Sequence, residues 1–155
     1  MNNKSGFTLI ETLIYMVLFA IVIGGGMVAT YQIIEATDAD HNHVILQEEA
    51  NFLLRKINWA LTGANSFSII SSPPSLSITK TGSPTIIFNE NSNNLQITRG
   101  TGSPIILNSS NITVTNLSFL PISGGTGITT SFALTTVQNG RPASQTFSTT
   151  KYLRK

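Results

Sequence analysis

No cysteine occurs among the 155 residues, which excludes disulfides, thiolate metal sites and a cysteine nucleophile. Charge is scarce as well. Lys, Arg, Asp and Glu together make 10% of the chain, against about 25% in an average soluble domain. Polarity comes instead from 17 Ser, 20 Thr and 14 Asn, a composition suited to strands and turns more than to helices. No proline precedes Pro73, so no proline kinks or breaks a helix in the first half of the chain.

The few charges are unevenly placed. From Thr12 to Ile34 there are 23 residues without one. Residues 35–62 hold Glu35, Asp38, Asp40, Glu48 and Glu49 against Arg55 and Lys56, a net charge of −3. Residues 63–155 hold Lys80, Arg99, Arg141, Lys151, Arg154 and Lys155 against Glu90 alone, a net charge of +5. An acidic middle and a basic end attract one another, within a chain or between chains.

At about 1.5 Å per residue the uncharged stretch covers the ~30 Å hydrocarbon core of a bilayer with length to spare. An ordinary secretory signal peptide would share its length and its leading Lys4. Glu11 argues against that, because the apolar surroundings begin at Phe7 and a signal core has no use for a carboxylate. Placing such a group near the bilayer centre costs on the order of 2.5–3.5 kcal/mol, so it is retained for a partner. A cut between Gly6 and Phe7 would remove Lys4 and create that partner, the amine of Phe7, one turn away.

The run Lys4-Ser5-Gly6-Phe7-Thr8-Leu9-Ile10-Glu11 resembles the processing site of type IV prepilins and type II secretion pseudopilins. The resemblance implies a six-residue leader (1–6) removed by a prepilin peptidase after Gly6, N-methylation at Phe7 by the same peptidase/methyltransferase, and neutralisation of a neighbouring subunit's amine by Glu11. It further implies other pilin or pseudopilin subunits, an inner-membrane assembly platform and membrane lipid as partners. A single-pass protein of the cytoplasmic membrane is expected, with an extracytoplasmic C-terminal domain that later enters a filament. The C-terminal run Phe147–Arg154 resembles the J-type minor pseudopilins, and a minor filament subunit is the expected role. A signal-anchored binding module that never polymerises, or a DNA-uptake pseudopilin, is the alternative.

Three consecutive glycines, Gly24, Gly25 and Gly26, weaken the apolar helix by about 1 kcal/mol each relative to alanine. They serve either as a point of helix flexibility or as a site of close helix packing in the membrane. Residues 7–34 are therefore read as a transmembrane and assembly helix, and residues 35–62 as its amphipathic continuation. In the latter, Ala39, Leu46, Ala50, Leu53, Ile57 and Ala60 share one face, with Leu54 and Leu61 at its margin. Gly63 is placed to cap the end. A second stripe, Ile45, Phe52 and Trp59, repeats every seven residues away from that face. It is either covered by a loop of the same chain, the one holding Pro73 and Pro74, or left as a candidate subunit interface.

From Gly63 onward short β-rich pieces alternate with turns. Strands are predicted at Phe67–Ile70, Leu76–Thr79, Thr85–Asn89, Leu95–Arg99, Ile105–Leu107, Ile112–Leu120, Thr129–Val137 and Gln145–Leu153. The expected fold class is α+β: a long N-terminal helix, half transmembrane and half amphipathic, packed by one antiparallel sheet in a pilin-like globular domain over residues 35–155.

The β region (63–155) contains Glu90 as its only carboxylate and no His or Cys, so no carboxylate pair or Ser-His-Asp triad can form within it. No catalytic residue and no cofactor is expected. Asp38, Asp40, His41 and His43 are read as a solvated acidic face rather than metal ligands, because no second cluster converges on them. Six cations over 93 residues are too scattered for a phosphate track, and nucleic acid is not an expected partner. The triplets at Asn108, Asn111 and Asn116 follow from composition and predict no glycosylation.

Overall fold

The computed structural model describes residues 8–122, 127–138 and 140–153, without the side chains of residues 38–40 and Arg141. One helix, α1 (Leu9–Leu61), precedes eight strands: β1 (Ser66–Ser71), β2 (Pro74–Lys80), β3 (Ser83–Asn91), β4 (Asn94–Arg99), β5 (Ile105–Ile106), β6 (Ile112–Pro121), β7 (Gly127–Gln138) and β8 (Arg141–Tyr152). All pairings are antiparallel, and the fold is α+β. The chain forms two compact units, Met1–Asp40 and His41–Lys155.

In the second unit the strands make two sheets, not the single sheet expected. One has the order β1-β2-β3-β4-β5 and the other β6-β7-β8. The break lies at Asn108. Leu107 N–H still donates to Leu95 O (2.9 Å), but Leu95 N–H then donates to the side-chain Oδ1 of Asn108 (2.9 Å) instead of a strand partner. The Asn108 amide nitrogen donates in turn to Ile112 O (2.7 Å) and Asn94 Oδ1 (3.0 Å). A buried side chain thus ends the first ladder and turns the chain into β6, satisfying groups that would otherwise be costly to bury.

All eight expected strands are present. The largest shift of a boundary is at β8, which begins at Arg141 rather than Gln145, because Gln138 pairs directly with Arg141 across Asn139-Gly140. Pro142 is tolerated because β8 is an edge strand. Two-residue turns also join β2 to β3 and β3 to β4. Ser92 and Asn93 both have positive φ (52° and 62°), the backbone that matches strand twist in such hairpins. At Gly127 a Cβ would lie 2.7 Å from both Lys151 O and Ile122 Cδ1, so only glycine lets β7 start this close to β8.

The core is built on the predicted helix face. Leu46, Ala50, Leu53, Ile57, Ala60 and Leu61 are buried, Leu61 fully rather than at a margin. Ala39 falls among the side chains outside the described set. Alternate residues of both sheets complete the cluster: Leu76, Ile78, Ile86, Phe88, Leu95 and Ile97 from the first, Ile112, Val114, Leu117, Phe119, Ile128, Phe132 and Leu134 from the second. Glu49 ties helix to loop at long range, accepting from Ser109 N–H (2.7 Å) and Ser109 Oγ–H (3.1 Å).

The end of α1 carries no basic residue in its last turn. Gly63 takes φ +71° immediately after it, the left-handed cap that an L side chain would strain. Lys80 of β2 supplies the missing cation, donating from Nζ to Thr62 O (2.8 Å) and Trp59 O (3.2 Å). This places positive charge on carbonyls at the negative end of the helix dipole. Two expectations follow for chemical unfolding of the detergent-solubilised chain. Leu53→Ala, at a fully buried position, should cost about 2–5 kcal/mol. Lys80→Met, which keeps the aliphatic stem, should cost about 1 kcal/mol and change the emission of the chain's single tryptophan.

Candidate functional site

Residues Gly6 and Phe7, the expected cleavage and methylation positions, lie outside the described residues. The first described residue, Thr8, caps α1. Its carbonyl accepts from Glu11 N–H (3.1 Å) and Thr12 N–H (3.3 Å), and its Oγ1 also receives Glu11 N–H (3.4 Å). Thr8 and Glu11 thus stand as N-cap and third residue of the helix, the Thr-x-x-Glu spacing of a capping box. That spacing was present in the sequence; the bond of the box that is seen is the one from Glu11 N–H to Thr8 Oγ1, while the Glu11 carboxylate meets Tyr15. A carboxylate in the first turn also meets the positive end of the helix dipole.

Glu11 is half-buried, and Tyr15 one turn on donates from Oη to its Oε1 (3.4 Å). Tyr15 was not among the expected site residues; its i, i+4 spacing from Glu11 is the signal that could have found it. The bond gives the carboxylate a neighbour on its own helix face.

Between Leu13 and Ile23 the helix carries large apolar side chains on all sides. Leu13, Ile14, Met16, Val17, Leu18, Phe19, Ile21, Val22 and Ile23 are each exposed by about half or more. An 18-residue window of this helix is long and apolar enough to cross a membrane, and none of it is buried. Thr30 and Thr37 return their hydroxyls to the carbonyls four residues back, Gly26 O and Ile33 O (both 2.9 Å), which satisfies those donors within the helix itself. Gly24, Gly25 and Gly26 remain helical, and an added Cβ at any of them would meet nothing within 4 Å. The glycines therefore make no close contact inside the chain.

In the second unit the heptad stripe divides. At about 100° per residue, Ile45, Phe52 and Trp59 sit about 100°, 120° and 140° from the centre of the buried face, drifting outward by about 20° per heptad. Ile45 and Phe52 are half-buried against the domain's own core, whereas Trp59 remains 49% exposed. What lies over Trp59 comes from β2 and β4: Lys80 Nζ is 5.0 Å and the Arg99 guanidinium carbon 5.1 Å from the ring centroid. Lys56 Nζ stands 5.5 Å from the ring of Phe52. Two shallow clefts flank the indole, one of about 270 Å³ lined by Phe52, Arg55, Lys56, Trp59 and Arg99, the other of about 240 Å³ on the Lys80 side.

His41 and His43 are exposed. Among the described residues no three His, Asp or Glu side chains come together as a metal site. Glu90 is spent on structure, accepting from Leu117 N–H (3.4 Å) where β6 bulges and Asn116 takes φ 55°.

Residues 1–27 match the family model of the prokaryotic N-terminal methylation motif. No curated protein and no solved structure matches the chain. The motif spans Gly6, Phe7, Glu11 and the glycine triplet, and it indicates a structural subunit rather than an enzyme, processed by prepilin peptidase and assembling with other pilin subunits. Together with one long apolar helix it fits a signal-anchored membrane protein. The chain carries the N-terminal signal of the type IV prepilins and pseudopilins.

Proposed function

We propose that the chain is a structural subunit of a type IV pilus or type II secretion-like filament, and that it enters the filament by exchanging lipid around its apolar helix for the helices of other subunits. The observation that carries this reading is the coincidence of the methylation motif with a helix exposed on every apolar side and a carboxylate in its first turn. Cleavage after Gly6 removes Lys4 and leaves the Phe7 amine, which keeps its positive charge when methylated. The two charges are complementary and both are costly in hydrocarbon, so pairing Glu11 of one subunit with the amine of the next removes a penalty on each side. Tyr15 stands beside the carboxylate on its own helix face. The glycine triplet, with no neighbour of its own, supports a helix that yields there or admits a partner helix closely.

This assignment has two direct tests. Replacing Gly6 with Leu should leave residues 1–6 attached when the chain is co-expressed with a prepilin peptidase; intact mass should show the unmodified precursor, while the parent chain loses the leader and gains one methyl group. Normal maturation of the Leu variant would remove the processing assignment. Glu11→Gln should be cleaved and inserted normally but should fail to enter filaments beside parent subunits, as read by shearing and immunoblotting. Incorporation of the Gln variant at parental levels would remove the ion pair from the account.

A further inference from the structure

The second sheet ends on a strand that the chain leaves open. β8 is the edge of the order β6-β7-β8 and pairs with β7 over twelve residues without a register shift. The other edges among the described residues offer less. β5 has two residues and β1 six, while β6 is bulged and its Val114 N–H is already given to Asn93 O (2.8 Å). Open edges are normally blunted by charge, proline or a bulge. β8 has Pro142 at its start and Lys151 near its end, and residues 143–150 between them hold neither charge nor proline.

The direction of the free backbone groups follows from the turn. Gln138 and Arg141 flank a two-residue turn and so form a hydrogen-bonded pair, which directs the groups of alternate residues, 142, 144, 146, 148 and 150, away from β7. Pro142 fits this side, having no N–H to give. Ser144, Thr146, Ser148 and Thr150 therefore present N–H and C=O along the open edge, and their hydroxylated side chains share one exposed face. On the other face Phe147 is half-buried and directly opposite Phe132, with ring centroids 6.2 Å apart.

We infer that β8 pairs antiparallel with β8 of a second copy of this chain about a twofold axis through Phe147, joining two three-stranded sheets into one of six strands. Three matches fix this register. Phe147 meets its own counterpart, so the pair it makes with Phe132 continues as a row of four rings across the joint. Ser144 falls opposite Thr150 and Thr146 opposite Ser148, which brings the outward N–H and C=O groups of both copies together. Ser144 Oγ accepts from Thr135 Oγ1–H (3.0 Å) and Thr150 Oγ1 lies 3.0 Å from Thr129 Oγ1, so a bond from Ser144 to the partner's Thr150 links two existing hydroxyl pairs. Gln145, whose Oε1 is buried with no hydrogen-bond partner, is set opposite the hydroxyl of Thr149. Shifting by two residues either way puts Thr150 against Pro142 or Ser144 against Tyr152, and an odd shift turns one buried face outward. The contact is isologous and closes as a dimer. It goes beyond the filament reading and does not rest on it.

The absence of cysteine makes the test clean. Full-length chains carrying Thr146→Cys or Ser148→Cys, both exposed positions, are mixed in detergent and oxidised briefly. Opposite residues of a hydrogen-bonded pair lie about 5.5 Å apart between Cα atoms, within disulfide reach, whereas the diagonal same-residue pairs lie about 7–8 Å apart, beyond it. The mixed disulfide should therefore exceed either same-residue disulfide at least fivefold. Ser144→Lys with Thr150→Lys in both copies sets ammonium groups opposite one another and should lower the mixed yield at least fivefold. Giving one copy those changes and the other Ser144→Glu with Thr150→Glu should restore it, which also shows that the altered domains are folded. Yields in the proportions of random collision would overturn the pairing, as would an undiminished yield with lysines in both copies. A predominance of either same-residue disulfide would overturn the register. Coupling of Thr146→Cys to Ser68→Cys on β1 in preference to Ser148→Cys would make the other open edge the occupant and overturn the twofold. None of these outcomes touches the filament reading, which the Gly6 and Glu11 variants test separately.

Discussion

A helix that is apolar on every side and exposed on every side cannot rest in water, and the other features of this chain depend on that constraint. Between Thr12 and Ile34 no charge interrupts the surface, and most of the large side chains there are at least half exposed. Burying such a surface in lipid is worth about 25 cal/mol per Å². Against this background a single carboxylate in the first turn is conspicuous, and its local support is explicit: a threonine cap, the helix dipole and a tyrosine hydroxyl.

The helix changes character along its length, from uniformly apolar to amphipathic, within one continuous element. Its later turns carry a narrow apolar face that both sheets of the second unit cover. The two ends are finished by different means. At the start Thr8 closes the first N–H groups from within the same segment. At the finish the last carbonyls are met by Lys80, reached only because β2 returns beside the helix end. The same lysine lies over Trp59, so stabilisation of the helix terminus and the chemistry of the exposed patch share one side chain.

Legibility differed by feature. The motif around Gly6, Phe7 and Glu11 could be read at once because it is local: its meaning lies in spacing along one stretch. The eight strands were visible because alternation and turn residues are also local signals. Their grouping was not. Whether β5 continues into a common sheet with β6 turns on a buried Asn108 side chain that replaces a strand's hydrogen bonds, and nothing in the order of residues distinguishes that asparagine from the chain's thirteen others. Glu49 was equally opaque, since its partner Ser109 is sixty residues away.

The heptad stripe shows the boundary between the two kinds of knowledge. Periodicity placed Ile45, Phe52 and Trp59 away from the main face, and a seven-residue repeat on a helix of 3.6 residues per turn must drift. How far each could drift before leaving the core was decided by the width of the sheets around the helix, which admit Ile45 and Phe52 in part and leave Trp59 half exposed. By itself the sequence determined the N-terminal methylation motif, the membrane-length helix, the inward face of the amphipathic half and the all-antiparallel β region, because each is a pattern of near neighbours. The tertiary structure decided the division into two sheets, the borrowed cap at the helix end and the gathering of Arg55, Lys56, Lys80 and Arg99 about one indole. Those depend on residues far apart in the chain, and long-range pairing leaves no periodic trace in a single sequence.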